Sequence, residues 1–214
     1  DYNTYDSFYY PTKGMATRLG YTCDFLKSRS TGFKPVHDLH FDISGVINLG
    51  GSIVDLIPDF HCRSVFDAQN ILDPANPNNN FSLMHRNYIG GIIQGRYIEQ
   101  QIPFVGLNNI SDCMLVENGV GYSLDHVAVL NLDLRINVMK NLYVSALGGY
   151  AHMSDTMGHF FTWKDRKREL FGAAVQVGYN TIVGPVTARM HWCNRTGQLK
   201  ENLGFIISMG FDLF

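Results

Sequence analysis

Between Val127 and Met139 the even positions are apolar (Ala128, Leu130, Leu132, Leu134, Ile136, Val138), while Asn131, Asp133, Arg135 and Asn137 take odd ones. A period of two lays an apolar set on one face of an extended strand and a polar set on the other. The same alternation returns in Leu19, Tyr21 and Phe25 against Arg18, Thr22 and Asp24, and in Leu39, Phe41 and Ile43 against Asp38, His40, Asp42 and Ser44. It returns again in Phe171 to Tyr179, with Gly172, Gln176 and Gly178 between the apolar positions, and in Pro185 to Cys193, where Thr187, Arg189 and His191 oppose Val186, Ala188, Met190 and Trp192. Leu203, Phe205, Ile207, Met209, Phe211 and Leu213 close the chain in the same rhythm. Strands are therefore expected at roughly 15–28, 36–48, 51–65, 126–139, 141–153, 167–180, 185–193 and 202–214. Tyr2 to Tyr10 forms a leading stub or an extra strand.

The connections sort by length. The joints at Pro11–Gly14, Asn48–Gly51, Lys140–Asn141 and Thr181–Gly184 are short and fall on one side. The other side receives Ser28–Pro35, Ser154–Arg166, Asn194–Glu201 and one long excursion from Phe66 to Asp125. Short periplasmic turns opposite long external loops characterise bacterial barrels that span the outer membrane. A two-faced strand in lipid must belong to a closed sheet, because an open edge leaves backbone N–H and C=O groups unpaired in hydrocarbon. The fold class expected is thus all-β, a transmembrane antiparallel outer-membrane β-barrel with about eight strands in this chain. The whole chain, 1–214, reads as one barrel domain, and the segment 66–125 is its long extracellular loop region.

Composition narrows the picture. Of the 214 residues 45% are hydrophobic and only 17% charged, yet mean hydropathy is −0.06, so apolar residues are interleaved with polar ones rather than massed. No window approaches the roughly 18 apolar residues of a spanning helix. A net charge of −2 gives no basic field for nucleic acid. The first residues carry no basic and apolar leader, so the signal of an exported protein would already be gone. Cys23, Cys62, Cys113 and Cys193 lack metal-site spacing. One disulfide among them would be compatible with an oxidising periplasm, and small packed residues are the plainer reading. No metal or other cofactor is expected.

Tyr9-Tyr10-Pro11-Thr12-Lys13-Gly14 resembles the periplasmic turn of the outer-membrane insertase and two-partner-secretion transporter superfamily, the BamA type. Asn87-Tyr88-Ile89-Gly90-Gly91, Gly95-Arg96-Tyr97 and Gln101 to Gly106 resemble the matching segment of the barrel of bacterial patatin-like proteins. The ending, from Gly184-Pro185-Val186 to Met209-Gly210 and Phe214, fits as well. The resemblance implies a barrel of about sixteen strands, of which this chain matches the C-terminal half. It also implies that the long loop folds into the lumen and plants an arginine, here Arg96, against an acidic strand residue, for which Asp133 is the candidate. No GxSxG occurs, so the lipase nucleophile of the patatin-like relatives is absent.

Half a barrel has three ways to exist in lipid. Two copies share one barrel as a homodimer, eight strands close on themselves, or the chain is part of a longer protein. The polar lining (Arg18, Asp24, Asp38, His40, Asp42, Asp133, Arg135, Arg189 and His191) favours the wide, wet lumen of a homodimer, since a narrow interior holds such charges only as a paired network. The expected role is non-enzymatic, with no catalytic residue: a transport, insertion or anchoring module, with outer-membrane lipid around it and a polypeptide substrate or periplasmic partner. A passive pore or structural barrel is the alternative. A third reading is a lipid hydrolase using His152 and Ser154, which share a strand face with Glu169 near by and resemble the arrangement in outer-membrane lipid A deacylases.

Overall fold

The computed structural model describes residues 1–7, 10–28, 32–51, 53–66, 114–117, 120–123, 125–154, 156–162, 169–182, 184–194 and 203–209. In chain order the elements are β1 (Tyr2–Asn3), β2 (Met15–Ser28), β3 (Gly32–Gly45), β4 (Ile47–Asn48), β5 (Val54–Phe66), β6 (Met114–Glu117), β7 (Val120–Ser123), β8 (His126–Met139), β9 (Leu142–Ser154), α1 (Met157–Thr162), β10 (Glu169–Thr181), β11 (Gly184–Cys193) and β12 (Leu203–Met209). Ten strands form one sheet in the order β1-β2-β3-β5-β8-β9-β10-β11-β12, with β4 paired to β5. Every pairing is antiparallel. Strands adjacent in the sheet follow one another in the chain, except that β4 lies between β3 and β5, and the long segment with its separate β6–β7 hairpin lies between β5 and β8.

The two faces separate as the alternation requires. Leu130, Leu132, Leu134, Ile136 and Val138 of β8 are exposed, and so are Leu19, Phe41, Val175, Met190 and Phe205 on other strands. Asn131 and Arg135, which alternate with them, are buried. From Leu130 to Val138 the exposed band on β8 runs about 27 Å along the strand at about 3.4 Å per residue. Tilted by about 35–45°, that length rises roughly 19–22 Å and so covers most of the roughly 25 Å apolar belt of a membrane barrel.

The short turns lie at one end, and backbone geometry marks them. Gly14, Gly51, Asn141 and Gly184 all have positive φ there. At Gly14 (φ +104°) a Cβ would also stand 2.4 Å from the Thr4 carbonyl oxygen, so only glycine fits. One proline sets a pairing limit. Pro58 has no N–H to give the β3–β5 ladder, which stops at Ser44↔Asp59 and resumes only as β4, at Ile47↔Leu56. Val46, in that gap, donates its N–H to the Gly14 carbonyl at 3.0 Å instead. Pro35 lies within β3, which begins at Gly32 rather than near residue 36; the described β3–β5 ladder starts only at His37, leaving β2 as the neighbour there.

Three expectations change. The leading stub contributes only Tyr2–Asn3, paired to Ala16–Thr17 of β2. The long excursion contains the β6–β7 hairpin. The stretch after Ser154, expected as plain loop, contains α1, whose Met157 and Phe160 are one helical turn apart. Among the described residues no helix is long and apolar enough to cross a membrane, which says nothing of strands that cross. Cys23, Cys62 and Cys193 are free thiols, and Cys113 lies outside the described residues.

If the exposed band faces lipid, Leu132→Arg near its middle should cost about 2–4 kcal/mol of folding free energy in phospholipid vesicles, whereas Asn131→Arg on the other face should cost much less. Urea titration in vesicles checks this, and equal effects at the two positions would count against a lipid-facing band.

Candidate functional site

The covered face of the sheet carries a charged network at its short-turn end, and the N-terminal segment folds over it. Arg135 of β8 is its centre. The residue is 2% exposed, and its guanidinium donates to the Pro11 carbonyl and lies 3.5 Å from a carboxylate oxygen of Asp55, which is 0% exposed. Asp55 in turn accepts from the Asn48 side-chain amide and, at 3.2 Å, from that of Asn137. The Arg135 guanidinium carbon also sits 5.9 Å from the ring centre of Tyr10 and 5.6 Å from that of Tyr143, close enough for cation–π attraction.

Those two rings stack on each other with centroids 4.1 Å apart and planes 11° apart. Such a pair contributes about 0.5–1.5 kcal/mol beyond the area it buries. The Tyr10 phenol reaches so close to β10 that a Cβ at position 178 would lie 2.3 Å from its oxygen, which explains Gly178. Around this anchor the segment ties itself down. The Asn48 amide donates to the Thr12 carbonyl at 3.1 Å, and the Tyr5 hydroxyl bonds Ser44 Oγ at 2.6 Å. Asp6 accepts from the Thr12 hydroxyl at 2.5 Å, from the Thr12 N–H at 2.8 Å and from the Lys13 N–H at 3.1 Å. The Thr12 hydroxyl, and after it the two backbone donors, hold the Asp6 carboxyl below the usual carboxylate range.

Further along the same face, polar residues pair across neighbouring strands. Arg63 of β5 binds Asp38 of β3 through Nε at 3.0 Å and through Nη2. His61 donates from Nδ1 to Asp42, both buried. Asn131 donates to Asp59 at 3.3 Å, and Arg189 Nε donates to Gln176 at 2.8 Å.

The expected lining residues divide accordingly. Asp38, Asp42, Arg135 and Arg189 belong to these contacts. Arg18, partly exposed, pairs at 3.4 Å with Asp1, which is largely exposed. Asp24 is half-buried and placed opposite Val36. His40 packs over Gly20, and His191, almost fully buried, packs over Gly204. Asp133 lies on β8 two residues from Arg135, and its Oδ1 has no hydrogen-bond partner among the described residues. Arg96 lies outside the described residues. His152 and Ser154 are fully buried on the opposite face of the sheet, at the long-loop end. His152 Nε2 donates to the Phe160 carbonyl at 3.2 Å, and the Ser154 hydroxyl donates to the Thr156 carbonyl at 3.0 Å. Both atoms therefore hold the α1 segment. Glu169 does stand directly across from His152 in the β9–β10 register.

Sequence reasoning missed Asp55, His61, Arg63 and Asn48. β5 carries Ile57 on its polar face and Pro58 and Ser64 on its apolar one, which blurs the alternation. It also missed that the covered face turns apolar at the long-loop end, where Val36, Val65, Val127, Val129, Ala151 and Met153 are buried. The unbroken run Val127-Ala128-Val129-Leu130 was the available signal, since residues apolar on both faces mark a strand covered on both sides.

No protein-family model matches the chain, and no curated protein matches it. Among solved structures its fold is similar to the crystal structure of BamA from Haemophilus ducreyi lacking POTRA domains 1–3, with a TM-score of 0.62 and 12% identity. The match covers 98% of this chain and 40% of that one, so the chain spans less than half of the BamA chain it resembles. At that identity the likeness is one of fold. It agrees with the BamA-type barrel resemblance; nothing in it singles out the patatin-like barrels.

Arg135→Ala should destabilise the folded protein by about 3–5 kcal/mol, because Asp55 is left as a buried charge without its partner. The double variant Arg135→Leu with Asp55→Leu should recover much of that loss. Urea unfolding in vesicles reads both, and a double variant as weak as the single would contradict the pairing. Because the folded-state pKa of Asp6 is lowered, its contribution is complete above the ordinary carboxylate pKa and is lost as pH falls through the lowered value. The protection factors of the Thr12 and Lys13 amides, taken against intrinsic exchange at each pH, should fall in that acid window, and Asp6→Asn should abolish the step.

Proposed function

We propose that this chain is an outer-membrane barrel module of the protein-insertion and translocation kind, and that two copies complete one barrel of about sixteen strands as a homodimer. The observation that carries this reading is a single antiparallel sheet with an exposed apolar face and a covered charged one, ended by β1 and β12. Edges of that sort are untenable in hydrocarbon unless they pair, between two copies or with each other; the buried pairs of Asp38, Asp42 and Arg135 favour, as the alternative, eight strands closed on themselves around a narrow interior. The likeness of 98% of the chain to part of the BamA barrel supports the same architecture. The role is non-enzymatic. It consists of inserting or moving polypeptide, or of anchoring an associated partner in the bilayer, and the N-terminal turn locked by Arg135 closes the lumen at its periplasmic end.

On the same reading the long loop region 66–125, most of which lies outside the described residues, would fold into that lumen. Two features support this placement: the buried apolar residues on the covered face at the long-loop end, and the Asp133 carboxylate oxygen left as an acceptor for the Arg96 guanidinium.

The mass of the folded protein, by light scattering with detergent subtracted, tests the assembly. A dimer is expected. In a background lacking the native cysteines, Tyr21→Cys on β2 and Phe205→Cys on β12 should crosslink between chains. Crosslinking within a monomer would instead mean a small closed barrel, and a monomer with no crosslink would leave the chain as part of a larger one. In the same dimer, Arg96→Ala and Asp133→Ala should perturb stability non-additively; additive effects would remove the anchor.

A further inference from the structure

We infer that α1 is an interfacial helix, seated on the lipid-facing side of the barrel at its long-loop end, with Phe161 at the boundary between lipid headgroups and acyl chains. The inference rests on the outer-membrane reading above and adds to it a specific membrane contact.

The side of the sheet follows from register. Ser154 stands opposite His126, and His152 stands opposite Ala128. Positions 126 and 128 have the parity of Leu130 and Leu132, which are exposed, and not that of the buried Asn131 and Arg135. α1 covers this same side. The Phe160 ring lies 5.9 Å from His126 and 5.4 Å from His152, and the Phe160 carbonyl accepts from His152 Nε2. The helix is therefore folded over the outside of the sheet and does not enter the lumen.

The height follows from composition. On β8 the apolar band ends at Leu130, and after the small Ala128 the row turns polar at His126. Ser64 of β5 and Ser154 of β9 stand directly beside His126. Polar side chains facing hydrocarbon would be costly, yet here they are buried, with the Phe160 ring against His126 and the Ser154 hydroxyl bonded to the Thr156 carbonyl. α1 thus sits where the belt gives way to the headgroup region and keeps these groups from lipid.

Its own outer surface supplies what that level requires. Phe161 is 73% exposed, set edge-on to Phe160, with His159 and Thr162 also exposed around it. A large exposed ring among polar neighbours suits the membrane–water boundary, where aromatic residues concentrate in barrels. On the same face, the Tyr150 and Phe171 rings lie 5.0 Å apart between α1 and the middle of the belt. The apolar surface is therefore continuous from the belt towards the helix, and the occupant it fits is bilayer lipid.

Depth-dependent quenching tests this on the full chain folded into phosphatidylcholine vesicles containing lipids brominated either near the headgroup or near the chain terminus. In a background of Trp163→Phe and Trp192→Phe, Phe161→Trp should be quenched most by bromines near the headgroup. Leu134→Trp, in the middle of the belt, should be quenched most by the deeper bromines. If Leu134→Trp is quenched and Phe161→Trp is not, the helix faces water or protein, and the inference fails while the barrel stands. If neither is quenched, the outer-membrane reading fails with it. Deep quenching at position 161 would also overturn the interfacial placement. As a check independent of tryptophan, Phe161→Ser should leave the unfolding midpoint in detergent unchanged and lower it in vesicles; an unchanged midpoint in vesicles would argue against a lipid contact.

Discussion

A guanidinium withdrawn from water has to be surrounded by groups that replace its hydration, and Arg135 assembles the short-turn end of this protein by that requirement. It draws on one strand for its counter-charge, Asp55, and on the N-terminal segment for a carbonyl, that of Pro11. The stacked rings of Tyr10 and Tyr143 lie beside it. Asn48 and Asn137 then satisfy the Asp55 carboxylate, so the network extends over β4, β5 and β8. A buried ion pair contributes little net stability against an apolar replacement, but a broken one is expensive. The pair therefore acts mainly to fix which segment crosses the covered face, and in which register.

Placement of the N-terminal turn depends on small residues as much as on charge. Gly14 lets the chain reverse against the Thr4 carbonyl, and Gly178 leaves room for the Tyr10 phenol. The turn contributes little paired β-structure of its own, since only Tyr2 and Asn3 pair with β2. Its order comes from Asp6 gathering the Thr12 and Lys13 donors and from the rings packed under Arg135. Sequence and packing thus cooperate: a motif that reads as a tight turn is also a plug shaped to one patch of the sheet.

The covered face divides into two zones along the strands. Near the short turns it carries the buried Arg135–Asp55 network; near the long loops buried valines, Ala151 and Met153 predominate around the Arg63–Asp38 pair. The outer face divides at the same end, where exposed leucines give way to His126, His152 and Ser154 under α1. On the proposed outer-membrane reading, a strand that crosses a bilayer meets different surroundings at each level, and the sheet's change of composition on both faces would match them.

The alternation of apolar and polar residues by itself determined that the chain is all-β and antiparallel, the positions of the long strands and the sorting of short from long connections. Those features depend on local period and on turn chemistry, which any stretch of chain displays without knowing its neighbours. That Asp38, Asp42, Arg135 and Arg189 share the covered face was legible for the same reason. Only the tertiary structure decided their partners. Arg135 meets Pro11 across 124 positions of chain, and Asp42 meets His61 on a strand whose own alternation is blurred by Ile57, Pro58 and Ser64. The structure likewise decided that His152 and Ser154 hold a helix: their shared face is a property of one strand, but what covers that face is a property of the loop that folds back over it. Period fixes which side a residue takes, and long-range packing fixes what it finds there.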